Sequence, residues 1–350
     1  MFRRIAVLLA VNLGLLLAGA LAVELVFGEW LGGDGLAALN VQRNIEIRYR
    51  ADHLYPGGGA IVYRRDRFGL RGDYGGDPSR IELLTIGGST TNQIYLAEEK
   101  SWQAVLARAL AEAGRPLIYA NAAIDGQSTI GHLAAFERWF PKIPGLRPTW
   151  VLAYVGMNDI LVEAGANADV LDRFPSFQHH IRRKSALYRL GRTVSGWLAA
   201  NQGRMTHQKV DYERARWTDQ PSRPDWPAHR AQALAAYKER LAALVAAIRK
   251  MGAQPILITQ RHGDWRRREG RLEGLAESEG GLNGVDNAIL LGLYNAVTIE
   301  TGRALGATVV DLAGGLEFAP GDFYDHVHNT PQGAERIGRF LFAALKETLR

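Results

Sequence analysis

The stretch that decides the fold is Leu83-Leu84-Thr85-Ile86-Gly87-Gly88-Ser89-Thr90-Thr91. Here an apolar strand runs into two glycines, which permit a tight turn, and the turn delivers the hydroxyl of Ser89. If a helix begins at Ser89, its free backbone N–H groups and the positive end of its dipole face whatever the hydroxyl attacks. The stretch therefore predicts a strand, a turn and a helix that together present a nucleophilic serine.

Further strands and helices alternate along the chain after this unit. The predicted strands are residues 81–87, 116–122, 150–155, 255–260 and 308–312, and they are short, apolar and bounded by glycine or proline. The predicted helices are residues 102–113, 130–140, 231–251, 288–305 and 332–349, with apolar residues at three-to-four spacing. This alternation predicts a three-layer α/β/α sandwich with a central parallel sheet, whose ligands bind at the carboxyl ends of the strands.

Two polar blocks follow predicted strands and are expected at the same edge of the sheet as Ser89. Asn121-Ala122-Ala123-Ile124-Asp125-Gly126 comes after the second strand, and Gly156-Met157-Asn158-Asp159 comes after the third. A tetrahedral intermediate needs donors aimed at its oxyanion, and the N–H of Ser89, the N–H of Gly126 and the amide of Asn158 are candidates. Taken singly, Gly126 also fits an ordinary turn and Asn158 fits an Asx-turn.

A carboxylate and an imidazole stand close together in Asp325-His326-Val327-His328. In a tight loop, residues three apart can place the carboxylate of Asp325 against Nδ1 of His328 and leave Nε2 to take the proton of Ser89. The order Ser, Asp, His then supplies a complete serine acyl-transfer triad. His326 is the rival imidazole, and a metal cluster with Asp325 and His328 is the rival interpretation. No motif such as His-Glu-x-x-His supplies a further ligand, so no metal site is predicted.

Composition excludes several other kinds of chemistry. The 350 residues are 47% hydrophobic and 22% charged, as in ordinary globular proteins, and length alone favours about two domains. The absence of cysteine rules out a thiol nucleophile, a thiolate metal site and a disulfide framework. Thr91 stands where the nucleophile elbow of α/β-hydrolases requires glycine, and no Gly-Lys-Ser/Thr follows at the spacing of a phosphate loop.

The N-terminus predicts a membrane segment. Arg3 and Arg4 precede an uncharged stretch over residues 5–23, and 19 helical residues rise about 28 Å, close to the thickness of a hydrocarbon core. The two arginines keep this end in the cytoplasm, so a single-pass anchor in the inner (cytoplasmic) membrane would leave the rest in the periplasm. Ala20-Leu21-Ala22 keeps the alternative open of a cleaved signal peptide and a secreted enzyme.

The predicted domain plan has three parts and one insertion. Residues 1–29 form the anchor or signal segment, residues 30–80 an irregular, glycine-rich connector, and residues 81–350 the catalytic domain. Residues 161–230 interrupt this domain with 12 Lys/Arg against 7 Asp/Glu. Apolar residues recur at helical spacing within the insertion, at Leu187, Leu190, Val194, Trp197 and Leu198. Such a basic amphipathic helix packs on the sandwich, acts as a lid or touches anionic lipid or polymer; nucleic acid is not expected outside the cytoplasm.

These blocks resemble the SGNH hydrolase superfamily, the GDSL-type esterases and lipases. The four name-giving residues of that superfamily correspond here to Ser89, Gly126, Asn158 and His328, with Asp325 as the third triad member. The third block, Gly-Met-Asn-Asp, and the last block, Asp-x-x-His, match fully. The first block reads Gly-Gly-Ser-Thr where the family has Gly-Asp-Ser-Leu, and this variant resembles a branch of exported bacterial members. Phe68-Gly69-Leu70-Arg71-Gly72 resembles a segment of that branch, whereas the second block is carried by Gly126 alone.

The resemblance implies a flavodoxin-like fold and hydrolysis of an acetyl or other short acyl ester on a carbohydrate or lipid, with no cofactor. Two alternatives remain. An O-acyltransferase of the same fold would use the same residues, with a sugar hydroxyl replacing water in the second step. A membrane-tethered binding module without catalysis is disfavoured by the intact set of Ser89, Asn158, Asp325 and His328.

Overall fold

The computed structural model describes residues 2–28, 30, 35–36, 39–164, 171, 184–188, 190–191, 207–278 and 281–350. The chain forms two compact units: Met1–Asn40 with Arg173–Met205, and Val41–Asp172 with Thr206–Arg350. The proposed division into an anchor, a connector and a catalytic domain stays a prediction.

The described strands are β1 Ile45–Arg50, β2 Ala60–Arg65, β3 Leu83–Gly87, β4 Tyr119–Asn121, β5 Trp150–Tyr154, β6 Trp217–Thr218, β7 Gln254–Ile258, β8 Trp265–Arg268, β9 Arg271–Leu275 and β10 Thr308–Val310. The described α-helices are α1 Phe2–Phe27, α2 Ser89–Asn92, α3 Trp102–Glu112, α4 Thr129–Arg138, α5 Trp226–His229, α6 Ala231–Lys250, α7 Gly284–Ala304, α8 Leu312–Gly315 and α9 Pro331–Leu345.

The first unit contains helix α1. Its leucines and valines are exposed, and the segment Arg3–Phe27 is long and apolar enough to cross a membrane. A signal sequence meets the same criterion of length and composition. The one carboxylate of the helix, Glu24, accepts a hydrogen bond from the hydroxyl of Ser185 at 2.5 Å and one from the N–H of Ala186 at 3.1 Å, so its charge has partners within the unit.

The second unit is built on a five-stranded parallel sheet in the order β10-β7-β5-β3-β4. Counted along the chain, its strands therefore stand in the order 2-1-3-4-5, which is the flavodoxin-like arrangement. Strands β3 and β5 are buried along their whole length, as predicted for central parallel strands. All five strands predicted from the sequence are present, and the predicted fold class is confirmed.

Helices cover both faces of this sheet. Helix α3 packs against α9, while α4 packs against α6 and α6 against α7. Right-handed crossovers place these two sets on opposite faces, which gives the three layers. Each of the five predicted helices is present, with ends that differ from the prediction by at most four residues.

The prediction of an irregular connector was wrong for residues 45–65. Strands β1 and β2 pair there as an antiparallel hairpin in the register Ile45 to Arg65. Residues of β1 alternate between half-buried and exposed, because only one face of the hairpin packs on the unit.

The sequence analysis also missed a second small sheet, the antiparallel order β6-β9-β8. Its β8–β9 hairpin turns through Glu269 and Gly270, which both have positive φ angles (52° and 79°), as a two-residue type I′ turn requires. Strand β6 lies in the insertion. Of the apolar residues that predict the basic helix, Val194, Trp197 and Leu198 lie outside the described residues. The same holds for four basic residues of that predicted helix, Arg182, Arg183, Arg189 and Arg192, and for the neighbouring His179 and His180, whose sequence indicates a solvated pair.

Candidate active site

A continuous chain of hydrogen bonds joins Ser89, His328 and Asp325. Oγ of Ser89 lies 2.8 Å from Nε2 of His328, and Nδ1 of His328 lies 2.8 Å from Oδ2 of Asp325. Since Asp325 accepts at Nδ1, the neutral imidazole carries its hydrogen there and presents an accepting Nε2 to the serine. This tautomer is the one that a general base needs.

Local structure explains how these side chains reach each other. Ser89 is the first residue of helix α2, directly after β3, so its N–H has no acceptor within the helix. In the loop of residues 325–328, Oδ1 of Asp325 accepts hydrogen bonds from the N–H groups of Val327 at 2.9 Å and His328 at 2.6 Å. The N–H of Tyr324 donates to the carbonyl of His328 at 3.0 Å. These bonds close a tight loop that folds the carboxylate of Asp325 against the imidazole.

The environment keeps Asp325 ionised. Burial alone would raise the pKa of its carboxyl group, but the hydrogen bonds from the imidazole of His328 and from the two backbone N–H groups lower the pKa below its ordinary value. A charged Asp325 can stabilise an imidazolium at His328.

The amide of Asn158 lies beside the serine turn. Its Nδ2 donates one hydrogen to the carbonyl of Gln127 at 3.0 Å, and a Cβ at Gly88 would lie only 2.2 Å from the same nitrogen. Glycine at position 88 therefore makes room for the amide next to Ser89. The chain at Gly126 is left-handed, with φ 72°, and within the described part of the chain the N–H of this residue has no hydrogen-bond partner.

Asp159 fastens the loop that carries Asn158. Its carboxylate accepts from the N–H of Thr129 at 3.2 Å and forms an ion pair with Arg240 at 3.1 Å. Burial raises the pKa of Asp159 to about 6, although Thr129 and Arg240 both act to lower it. These bonds tie the Gly156–Asp159 segment to the start of helix α4, which follows Gly126 in the chain.

Two buried arginines come from the segment that includes the β1–β2 hairpin, and sequence analysis assigned them no role. Arg65 donates to Oδ1 of Asn92 at 2.9 Å and also to the carbonyl of Ala123. Arg71 donates to the backbone carbonyl of Asn92 and forms an ion pair with Glu98 at 2.8 Å. Because Asn92 ends the helix that begins at Ser89, both arginines support the serine turn.

His207 was also missed, because no motif near it in the sequence indicates a partner. It lies in the described end of the insertion, and its ring stacks on that of His328 with centroids 4.2 Å apart and 30° between the planes. Its Nδ1 lies 2.9 Å from the hydroxyl of Tyr324 and 3.7 Å from Oδ2 of Asp325. Burial, followed by the proximity of His328, lowers the pKa of His207 to about 4.

His326, the rival base, points elsewhere: its Nδ1 lies 3.2 Å from the hydroxyl of Ser278. The donor atoms that come closest to a metal cluster belong to His207, Asp325 and His328, all within 4.8 Å of one another. Stacked rings do not aim their lone pairs at a common point, and Nδ1 of His328 is already bonded to Asp325. A cation bound there would have to break that hydrogen bond, so the arrangement does not favour a metal centre.

A small cavity of about 10 Å³ opens beside the serine. Its described lining consists of Ser89, Thr90, Gln93, Ile94, Leu96, His207, Tyr324, His328 and Asn329. A volume of this size holds about one water molecule, which is close to the size of a methyl group.

The profile of the GDSL-like Lipase/Acylhydrolase family matches residues 85–336, which is more than half of the chain. No curated protein sequence matches the chain. Among solved structures, it is similar to TesA, with 16% identity over 76% of this chain and 98% of that chain and a TM-score of 0.43. It is also similar to the psychrotrophic esterase EstA from Pseudoalteromonas sp. (14% identity, 77% and 98% coverage, TM-score 0.42) and to an acetylxylan esterase from Geobacillus stearothermophilus (14%, 75% and 93%, 0.42).

Proposed function

Since the chain belongs to the GDSL-like Lipase/Acylhydrolase family and is a serine-dependent carboxylic ester hydrolase, we propose that Ser89, His328 and Asp325 are its catalytic triad and that its substrate carries a short acyl ester. The observation that carries this proposal is the unbroken chain of two 2.8 Å hydrogen bonds from Ser89 through His328 to Asp325.

The mechanism follows from the roles of these groups. Oγ of Ser89 attacks the acyl carbon while Nε2 of His328 takes its proton, and Asp325 holds the ring and balances its charge. His328 then returns the proton to the leaving alcohol. Water attacks the acyl-enzyme with His328 again as base, which releases the acid and restores Ser89.

The oxyanion of each tetrahedral intermediate needs hydrogen-bond donors that are already in place. We assign this role to the N–H of Ser89, the N–H of Gly126 and the amide of Asn158. The contact between Asn158 and Gly88 supports the assignment, because it brings Nδ2 against the backbone beside the nucleophile.

The cavity next to Ser89 supports a small acyl group. Its volume of about 10 Å³ accommodates the methyl of an acetyl group, whereas a longer chain would extend beyond the cavity. The cavity indicates an acetyl ester, and helix α1 indicates an enzyme that works outside the cytoplasm. The substrate class that meets both conditions is an acetylated carbohydrate or lipid outside the cytoplasm. We assign helix α1 as a membrane anchor, with the catalytic unit on the outer side of the membrane.

A series of p-nitrophenyl esters tests the function directly. The full-length protein in detergent should hydrolyse the acetate with a kcat/KM at least about 100-fold above that for the octanoate. Ser89→Ala should abolish turnover and labelling by a serine-reactive phosphonate, whereas Ser79→Ala, at an exposed serine, should behave as wild type. Turnover by Ser89→Ala would refute the triad, and equal rates on both esters would refute the short acyl group.

A further inference from the structure

His207 lies outside the proposed triad but contacts two of its members, His328 and Asp325. Its ring covers one face of the His328 imidazole at a centroid distance of 4.2 Å, and only 16% of its side chain is exposed. Tyr95 meets the ring of His207 edge-on at 4.8 Å, and the hydroxyl of Tyr324 holds its Nδ1 at 2.9 Å. The histidine is therefore fixed from two further sides.

The two hydrogen bonds of His328 restrain the tilt of its ring only weakly. Bonds at Nδ1 and Nε2 both lie in the plane of the imidazole, so they define its direction within that plane but resist tilting only weakly. Tilting is prevented by whatever packs against the two faces. His207 stacks on one face of the His328 ring. Tyr324 lies beside both histidines, with its centroid 5.7 Å from that of His328 and 6.0 Å from that of His207.

We infer that His207 is a positioning residue, supplied by the insertion, that holds the ring of His328 in the orientation for proton transfer with Ser89. This inference rests on the proposed function, because it takes His328 as the general base. Small displacements of a catalytic group reduce rates strongly, so a side chain that only packs on the base can still control turnover.

The charge of His207 is compatible with this role. The charged and titratable groups that face it are Asp325, Asp125, His328, Tyr95 and Tyr324. Burial and the proximity of His328 lower the pKa of His207 to about 4, so its ring is neutral at neutral pH. A neutral aromatic face attracts the imidazolium that His328 becomes during the reaction, whereas a protonated His207 would repel it and compete for Asp325.

Three substitutions separate positioning from simple filling of space. His207→Phe keeps a flat ring, His207→Leu fills volume without one, and His207→Ala removes both. On p-nitrophenyl acetate, His207→Ala should lower kcat about tenfold or more with little change in KM, and His207→Phe should restore kcat to within about threefold of wild type. His207→Leu should restore little. His229→Ala, at an exposed histidine of the same insertion, is the matched control.

Three readouts make the test decisive for full-length protein in detergent. The burst of p-nitrophenol counts active sites, so kcat per site is unaffected by any misfolded fraction. The rate of inactivation by a small serine-reactive phosphonate should fall in parallel with kcat, because it needs the same base. The downfield proton resonance of Nδ1–H in His328 should weaken in His207→Ala and return in His207→Phe.

Several outcomes would overturn the inference. Equal rescue by leucine and phenylalanine would make His207 a filler of volume, and a change in KM alone would make it a substrate contact. If His207→Ala does not fold, the comparison of the phenylalanine and leucine variants still decides. Loss of turnover in Ser89→Ala with wild-type kcat in His207→Ala refutes only the role of His207, whereas turnover by Ser89→Ala refutes the proposed function itself.

Discussion

Two histidines stand two residues apart in the Asp325–His328 loop, but only one of them faces the serine. We expect Ser89→Ala and His328→Ala to abolish ester hydrolysis, because each removes a group that exchanges a proton or forms the acyl bond. Asp325→Asn should leave measurable activity, since this side chain orients the base and does not itself transfer a proton. His326→Ala is the matched control and should be mild. A loss in His326→Ala equal to that in His328→Ala, measured as kcat on the same ester, would reverse the assignment.

The amide of Asn158 is expected to act on the transition state. Asn158→Ala should lower kcat about 100-fold or more at nearly constant KM, because the oxyanion it binds exists only during the reaction. Gly88→Ala should have a similar effect. Its new Cβ would lie 2.2 Å from Nδ2 of Asn158 and would displace the amide. Steady-state kinetics on a short ester measure both. A raised KM at unchanged kcat would make Asn158 a substrate-binding residue instead.

At the scale of residues, the site residues that could be predicted are those marked by their immediate neighbours in the sequence. Ser89 follows a strand and two glycines, and Asp325 stands three residues before His328, so both could be recognised from spacing. His207 could not, because its partners are distant in sequence and become neighbours only when the chain folds.

At the scale of elements, the segment with the β1–β2 hairpin supports the serine turn through Arg65. Arg65→Met should lower the free energy of unfolding by at least about 3 kcal/mol and reduce kcat, because the carbonyls of Gly69 and Ala123 lose their buried charged donor. The adjacent Arg64 is exposed and pairs with Glu46 at 2.9 Å, so Arg64→Met should cost less than about 1 kcal/mol. Urea unfolding and ester turnover measure both variants. Equal losses would show that Arg65 does not anchor the turn.

Buried parallel strands were easier to recognise than exposed hairpins. The central strands are continuous apolar runs, so their burial on two faces is visible in composition. Strand β1 does alternate, as Ile45, Ile47 and Tyr49 face one way and charged residues the other, but its glycine-rich surroundings concealed this signal. The β8–β9 hairpin is rich in arginine and turns at Glu269-Gly270, a pair less typical of such turns than Asn-Gly.

At the scale of the whole molecule, the strand order explains why distant blocks meet. Strand β3 lies between β4 and β5, so the segments that follow these three strands share one edge of the sheet. Ser89, Gly126 and Asn158 each belong to one of these segments. In sheets of the order 2-1-3-4-5, this edge contains the point where the chain reverses direction across the sheet, which is where ligands bind.

Buried histidines should make the fold sensitive to acid. Burial lowers the pKa of His132 from its ordinary 6.5 to about 3, so between these values the unfolded chain binds a proton that the folded protein does not. The contribution of His132 to the free energy of unfolding should therefore fall as the pH drops from 6.5 towards 3, by about 1.4 kcal/mol per pH unit. Urea unfolding at several pH values should show a shallower dependence in His132→Leu. An unchanged slope would mean that His132 titrates at its ordinary pKa.

Helix α1 should attach the protein to the membrane. Helix α1 exposes apolar side chains along its length, so the full-length protein should resist carbonate extraction. Arg3 and Arg4 lie at its start, so the catalytic unit should be accessible to protease in intact spheroplasts. Deleting residues 1–29 should release a soluble, active esterase, because the second unit buries its own core around the five-stranded sheet. Protection from the protease would contradict the outward topology. A mature protein that begins near Val23 and washes off in carbonate would instead identify α1 as a cleaved signal peptide and leave the proposed chemistry unchanged.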